Sequence, residues 1–236
     1  MRITKHIHAS WLHHPASLAI CLALAFWGCN ASAQPDSSAC GSLKNGYGPY
    51  DYRVDHKQLP IVEEYHFTPE VEAVIRGKSG SVGTDLDYTL RAFPNHHRAL
   101  MAMVQLGEKL KASQAPGAQY SVECYFERAV RFRSDDAVAR MIYATFLQKN
   151  RRDRDASAQL EVATTLAGDN AFTHYNIGLI YFDGKKYDEA LVQAHRAYGL
   201  GILRPELREQ LIAAGKWVEP QVNHLVIQKG ESPPIE

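Results

Sequence analysis

The residues most able to do chemistry in this chain include a glycine-lysine-serine run, Gly77-Lys78-Ser79. A phosphate-binding loop ends in this way, but it also requires a glycine five residues before its second glycine, where Glu72 stands. A serine nucleophile at Ser79 would need glycine in place of Ser81. Since neither pattern is complete, we interpret residues 77–83 as a flexible linker.

The histidines do not show the spacing of a metal centre. His96 and His97 are adjacent, and adjacent residues on a helix point about 100° apart, which suits one shared metal poorly. His174 and His195 lie on two predicted helices that pack together. Two alternatives exist for this pair: binding a metal or sensing pH, or packing between the two helices.

The acidic residues do not form a catalytic pair either. Asp85 and Asp87 lie near the start of a predicted helix, where its positive end stabilises them. No nucleophile, base and oxyanion donor come together in the sequence. We therefore expect no catalytic residues, no metal, no cofactor and no enzymatic activity. The alternative is an enzyme, or an accessory subunit of one, with chemistry in residues 40–83.

Residues 1–33 have the pattern of a secretory signal peptide: a basic start, an apolar run over 16–27, and Ala31-Ser32-Ala33 as a cleavage site. The apolar run, about 12 residues long, is too short to span a bilayer about 30 Å thick. We expect cleavage after Ala33 and a periplasmic or secreted protein. The alternative is a lipoprotein anchored through Cys29, although the bulky Trp27 fits a lipidation site poorly.

The charge of the mature chain disfavours nucleic acid as a partner. Removing residues 1–33 takes away two of the 26 basic residues and none of the 26 acidic ones, so the net charge becomes 24 − 26 = −2. There is no basic excess to attract nucleic acid or anionic lipid. No later stretch is apolar enough for a transmembrane segment.

Two cysteines remain after signal removal, Cys40 and Cys124. An exported protein meets oxidising conditions, which favours a single disulfide between them. The alternative is two separate thiols.

The C-terminal half of the chain repeats itself with a period of about 34 residues. Small and large apolar residues both recur at this interval, and within each unit they fall at helical spacing. The aligned sets are Ala129, Ala163 and Ala197; Phe132, Leu166 and Leu200; Val122, Ala156 and Ala190; and Phe126, Leu160 and Ala194.

The repeat predicts helical hairpins, of which the clearest has helices over 171–182 and 187–200. Gly178 lies inside its first helix, where glycine costs roughly 1 kcal/mol relative to alanine. We expect Gly178 to allow close approach to Ala190 across the hairpin. Asp183-Gly184-Lys185-Lys186 is then a solvated turn. One unit earlier, the predicted helices are 137–149 and 155–166.

The residues of these hairpins resemble the tetratricopeptide repeat (TPR) family. The resemblance is carried by His174, Ile177, Gly178, Tyr181, Ala190, Ala194 and Ala197, and by Tyr143, Ala144, Leu147, Ala156, Leu160 and Ala163. It implies an all-α, TPR-like helical-hairpin solenoid of about three repeats over residues 97–204. The units are 97–136, 137–170 and 171–204, and the first contains 40 − 34 = 6 extra residues.

The flanking segments are assigned by their composition. Residues 34–60 are expected to form an extended N-terminal strap, and residues 61–96 a degenerate helical pair. Residues 205–218 are expected to form a capping helix, and 219–236 a tail. Tyr47, Tyr50 and Tyr52 of the strap are either a recognition patch or apolar anchors.

The resemblance also implies a binding site, because the first helix of each hairpin lines a concave groove in this family. The exposed positions of those helices are the candidates for binding a protein or peptide: Arg98, Met101, Gln105, Met141, Thr145, Gln148, Tyr175, Asn176 and Leu179. We expect an exported TPR protein that acts as a binding module or scaffold in an envelope assembly. The sequence does not identify its partner.

Overall fold

The structure is a computed structural model that describes residues 39–220. The predicted signal peptide, Cys29 and residues 221–236 lie outside the described residues. The described chain forms ten α-helices and no strand, which confirms the all-α class. The helices are α1 (Leu59–His66), α2 (Pro69–Glu72), α3 (Val82–Ala92), α4 (His97–Leu110), α5 (Val122–Phe132), α6 (Ala137–Lys149), α7 (Asp153–Ala167), α8 (Ala171–Asp183), α9 (Tyr187–Gly199) and α10 (Glu206–Ala213).

Helices α4, α6 and α8 begin in the same way. His96, Asp136 and Asn170 each accept a hydrogen bond from the backbone N–H three residues on. This contact satisfies one of the free amides at a helix start. The residue numbers of the three caps differ by 136 − 96 = 40 and 170 − 136 = 34, which are the predicted lengths of the first two units.

The same helices also end alike. Lys111, Arg151 and Lys185 all adopt the left-handed conformation in the turn that follows, with φ of 51°, 60° and 59°. Their residue numbers differ by the same two intervals, 151 − 111 = 40 and 185 − 151 = 34. A left-handed conformation is unusual for residues other than glycine, so its recurrence shows that the three turns share one geometry.

Each of these helices packs against the next helix in the chain to form a hairpin, most extensively in the pairs α6–α7 and α8–α9. Small residues lie at the contact. A Cβ atom at Gly178 would lie 2.5 Å from Cδ2 of Leu207, 3.3 Å from Cβ of Gln193 and 3.5 Å from the carbonyl oxygen of Ala190. The glycine therefore makes room chiefly for Leu207 of α10, which the sequence did not predict, and also for Gln193 of α9, whereas the distance to Ala190 is an ordinary contact.

Helix α10 covers the end of the last hairpin. It packs on α8 and α9 and buries Leu207 and Leu211. The predicted cap, residues 205–218, is longer than the helix observed, because the chain turns at Gly215 with φ of 66°. None of the helices described is long and apolar enough to cross a membrane.

A disulfide joins Cys40 to Cys124, as predicted, and fixes the N-terminal strap to α5. The buried guanidinium of Arg128 donates to the carbonyl oxygens of Cys40 and Ser42 at 3.1 and 2.7 Å. Strap residues also pack on a small apolar cluster, which makes the tyrosines anchors of the strap. This cluster comprises Val62, Ala92 and Phe93 with Tyr47, Tyr50, Tyr52, Leu59 and Tyr88.

Residues 61–96 differ from the predicted helical pair, because the chain forms α1, α2 and α3 there. The expected flexible linker at 77–83 is also corrected. The buried carboxylate of Asp85 accepts hydrogen bonds from the backbone N–H groups of Lys78 and Ser79. The hydroxyl of Ser79 donates to the carbonyl oxygen of Tyr65 at 2.7 Å. These bonds order the glycine-rich turn against α3 and α1.

The close approach at Gly178 predicts a large effect of one substitution. Gly178→Val should destabilise the protein by about 1–3 kcal/mol, because its side chain would overlap Leu207 and Gln193. Gly199→Val is the matched control, since a Cβ atom there meets no atom within 4 Å. Urea unfolding with the disulfide intact measures both. Equal stability of the two variants would contradict the packing role of Gly178.

Candidate functional site

Helices α4, α6 and α8 lie side by side, with α6 in contact with both of the others. Two adjoining cavities open where these helices meet, one of about 220 Å³ and one of about 230 Å³. Ile142 and Thr145 line both cavities, so we treat them as one groove. The first cavity is lined by Met101, Val104, Gln105, Ile142, Thr145, Phe146 and Lys149, and the second by Val138, Met141, Ile142, Thr145, Asn176, Leu179 and Ile180.

Six of the nine residues proposed from the sequence line this groove: Met101, Gln105, Met141, Thr145, Asn176 and Leu179. Met141 is only 7% exposed, so it forms part of the floor. The other six lining residues were missed: Val104, Val138, Ile142, Phe146, Lys149 and Ile180. The sequence held one signal for Val138, because another apolar residue, Phe172, stands one repeat period after it.

Arg98 and Gln148 line neither cavity of the groove. Arg98 forms ion pairs with Glu72 and Glu63 and stacks on Phe67, with its guanidinium 5.3 Å from the ring centre. The amide of Gln148 donates to the carbonyl oxygen of Ile180 at 3.1 Å. Both side chains are therefore already used in contacts between neighbouring helices.

Tyr175 was predicted as an exposed apolar anchor, and this prediction is wrong. The residue is 1% exposed, because α10 lies over α8. Its hydroxyl donates to Oε2 of Glu206 in α10 at 2.8 Å. Burial, together with the Glu206 carboxylate, raises the pKa of Tyr175 to about 12. Tyr175 thus holds the cap in place.

The groove is almost free of charge. Lys149 carries the one charged side chain among the twelve residues that line it, and its Nζ lies 2.7 Å from a carboxylate oxygen of Glu108. The side-chain amides of Gln105 and Asn176 make no hydrogen bond within residues 39–220. An apolar ligand that also offers backbone donors and acceptors would match these groups. A charged ligand group would lose its hydration without gaining a partner.

A larger cavity of about 560 Å³ continues from the groove, with which it shares Val104 and Phe146. Four charged residues line it, and three of them form ion pairs, whereas Lys111 forms none with the residues described. Arg152 pairs with Glu123, and Lys149 pairs with Glu108 across its rim. We interpret this cavity as an extension of the groove that has a polar rim.

A separate buried cluster joins the strap to the starts of α4 and α6. The amide of Asn95 donates to the carboxylates of Asp51 and Asp136 at 2.7 and 2.8 Å. Arg53 pairs with Asp51 at 2.8 Å, and Nε2 of His97 lies 2.9 Å from a carboxylate oxygen of Asp136. These carboxylates are fully engaged within the protein, so the cluster is structural.

Burial and hydrogen bonding have opposite effects on the pKa values of the two carboxylates in this cluster. Burial alone would raise the pKa of Asp51, but the bonds from Arg53 and Asn95 outweigh it and hold that pKa well below its usual range. Burial likewise opposes ionisation of Asp136, and the bonds from His97 and Asn95 hold its pKa below the usual value. Both carboxylates are therefore charged at neutral pH.

The histidine pairs singled out in the sequence do not share a ligand site. Nδ1 of His96 caps α4 and its Nε2 faces Glu63, whereas His97 binds Asp136. His174 bonds with Gln193 and the carbonyl oxygen of Gly168, while His195 bonds with the carbonyl oxygen of Val218. In the part of the chain described, no three histidine, cysteine or acidic side chains are grouped closely enough to hold a metal.

No family model and no curated protein matches this chain.

The buried cluster predicts a specific loss of stability in acid. A carboxylate whose pKa is lowered on folding stabilises the protein above its unfolded pKa of about 3.9, and that stability is lost as the pH falls through the folded pKa. Wild-type protein should thus lose stability steeply below about pH 4.

Asp51→Asn tests this prediction. It should lower the free energy of unfolding at pH 7 by about 1–3 kcal/mol, because Arg53 and Arg133 both lose the buried carboxylate with which they pair. It should also flatten the acid dependence. Asp183→Asn, at the exposed end of α8, is the control. Urea unfolding at pH 7, 4 and 3 measures both variants, and an unchanged acid slope in Asp51→Asn would refute the prediction.

Proposed function

We propose that this chain is an exported, non-enzymatic binding module of TPR-like hairpins, and that its groove docks an apolar, uncharged peptide segment of a protein partner. The observation that carries the proposal is the groove itself. It is formed by the first helices of the three hairpins and contains six of the residues expected there, with one charged side chain among twelve.

Repeated side-chain contacts support the equivalence of the last two hairpins. Arg140 donates to Oε1 of Gln159 at 2.8 Å, and Nδ1 of His174 lies 2.7 Å from Oε1 of Gln193. Corresponding members of the two pairs lie one repeat period apart, as do the caps and left-handed turns of the last two hairpins. Hairpins related in this way stack into an array with a continuous binding surface.

Export is supported by two features of the N-terminal part of the chain. Residues 1–33 have the signal-peptide pattern, and a disulfide joins Cys40 to Cys124. Disulfides persist in oxidising compartments such as the periplasm. We place the module in an envelope assembly on this basis. Cleavage after Ala33 and anchoring through Cys29 are distinguished by the intact mass of the mature protein.

The spacing of the groove favours a polyproline II segment as its occupant. Packed helices lie about 8–10 Å apart, so two subsites on neighbouring helices have about that separation. Residues i and i+3 of a polyproline II helix lie about 9 Å apart on one face. Such a segment has no internal hydrogen bonds, so its backbone can pair with the amides of Gln105 and Asn176.

A displayed library of random peptides tests the proposal. The protein should enrich sequences with apolar residues at positions i and i+3 and no charge between them. Binding of a selected peptide is then measured by fluorescence polarisation. Failure to enrich any such sequence would contradict the proposed ligand.

Variants with a new carboxylate locate the binding surface. Leu179→Asp should weaken binding at least about tenfold, because the buried charge would lack a partner. Gln105→Ala should weaken binding more modestly by removing one amide. Val162→Asp is the matched control on α7, where Val162 is 39% exposed outside the groove. Equal affinity of Leu179→Asp and Val162→Asp would exclude the groove as the site.

A further inference from the structure

A further cavity lies between α7 and α9, which contribute no residue to the groove. Its volume is about 240 Å³, and Tyr181 of α8 contributes to its wall. We call it the back cavity, and it is lined by Glu161, Thr164, Tyr181, Glu189, Val192 and Gln193. The lining combines an apolar surface with two carboxylates and two hydroxyl groups.

Two hydroxyl groups at the back cavity lack partners. Tyr181 is 4% exposed, and its hydroxyl forms no hydrogen bond with any residue described. Oγ1 of Thr164 is also buried without a hydrogen-bond partner in the described chain. Buried polar groups in proteins are nearly always hydrogen-bonded, so the buried hydroxyl of Thr164 indicates a missing ligand group, and the hydroxyl of Tyr181 belongs to a residue that lines the same cavity.

The carboxylates of Glu161 and Glu189 both raise the pKa of the Tyr181 hydroxyl group. Burial first, and then the charges of Glu161 and Glu189, raise the pKa of Tyr181 to about 12. Both carboxylates therefore lie near the unpartnered hydroxyl. Glu189 has one ion pair, with Lys186 at 3.7 Å on the exposed surface, where such pairs contribute little. Glu161 forms no ion pair within residues 39–220.

The preceding hairpin shows how equivalent carboxylates are satisfied. One repeat period before Glu161 and Glu189 stand Glu127 and Asp155. The hydroxyl of Tyr143 donates to Glu127 at 2.7 Å, and the guanidinium of Arg152 donates to Asp155 at 2.7 Å. Arg152 also pairs with a second acid of α5.

The last hairpin lacks both of these donors. Ile177 stands at the position equivalent to Tyr143, and Lys186 at the position equivalent to Arg152. Glu161 therefore lacks the hydroxyl donor that its counterpart has, and Glu189 has only a distant ammonium group. A planar cation with several N–H donors would supply what the chain provides for itself one hairpin earlier.

We propose that the back cavity binds the guanidinium group of an arginine side chain from a protein partner. The aliphatic stem lies on Val192. The guanidinium N–H groups donate to the carboxylates of Glu161 and Glu189, and the oxygens of Tyr181 and Thr164 accept the remaining bonds. Arginine fits better than lysine because its fork of five donors reaches several acceptors at once. This site is independent of the groove.

An NMR titration of the full-length, disulfide-intact protein tests the proposal. The probe is acetyl-Gly-Arg-Gly-amide, with the citrulline peptide as its neutral, nearly isosteric control. The arginine peptide should shift backbone amides of α7 and α9 near the back cavity, with the effect weakening as salt is added. The citrulline peptide should leave them unchanged, and the lysine peptide should bind several-fold more weakly.

Substitutions complete the test. Glu161→Gln should weaken binding of the arginine peptide at least about fivefold, and Tyr181→Phe should reduce the preference for arginine over lysine. Glu209→Gln, on the exposed surface of α10, should bind as wild type does. Equal shifts with the citrulline peptide, equal affinity for lysine, or full binding by Glu161→Gln would each overturn the proposal.

Discussion

The close approach of helices at small side chains is the constraint on which the rest of the structure depends. Gly178 and the alanines at the inner faces of the hairpins let each pair of helices pack tightly. Tight pairing fixes α4, α6 and α8 next to one another, and residues of all three helices line the groove. A larger residue at these contacts would separate the helices and, with them, the two subsites.

Polar contacts stabilise the packed helices at both ends of the described chain. At the N-terminal end, Asn95 bridges Asp51 and Asp136, and the disulfide fixes the strap to α5. At the other end, Tyr175 binds Glu206 of the cap. Because these buried groups satisfy one another, they have little capacity for a ligand. The polar groups that remain free, in the groove and in the back cavity, are therefore the informative ones for function.

The bounds of α6 to α9 could be predicted from the sequence because they follow a local repeat, and the disulfide because only two cysteines remain after signal removal. The repeat period located α6 to α9 to within two positions of their observed ends. Contacts between distant elements were not predictable in this way. Tyr175 fits the exposed pattern of its own helix and is buried only because α10 folds over it. Residues 77–81 look flexible by composition, but the carboxylate of Asp85 orders them.

Site-specific photo-crosslinking in the native host tests the central claim most directly. A photoreactive amino acid replaces Gln105 or Asn176 in the groove, or Val162 on α7 as a reference, and mass spectrometry maps the crosslinked residues of the partner. The account predicts that both groove positions crosslink to one short, apolar, uncharged segment, and that position 162 does not. Crosslinks to charged segments, or equal crosslinking from position 162, would contradict it.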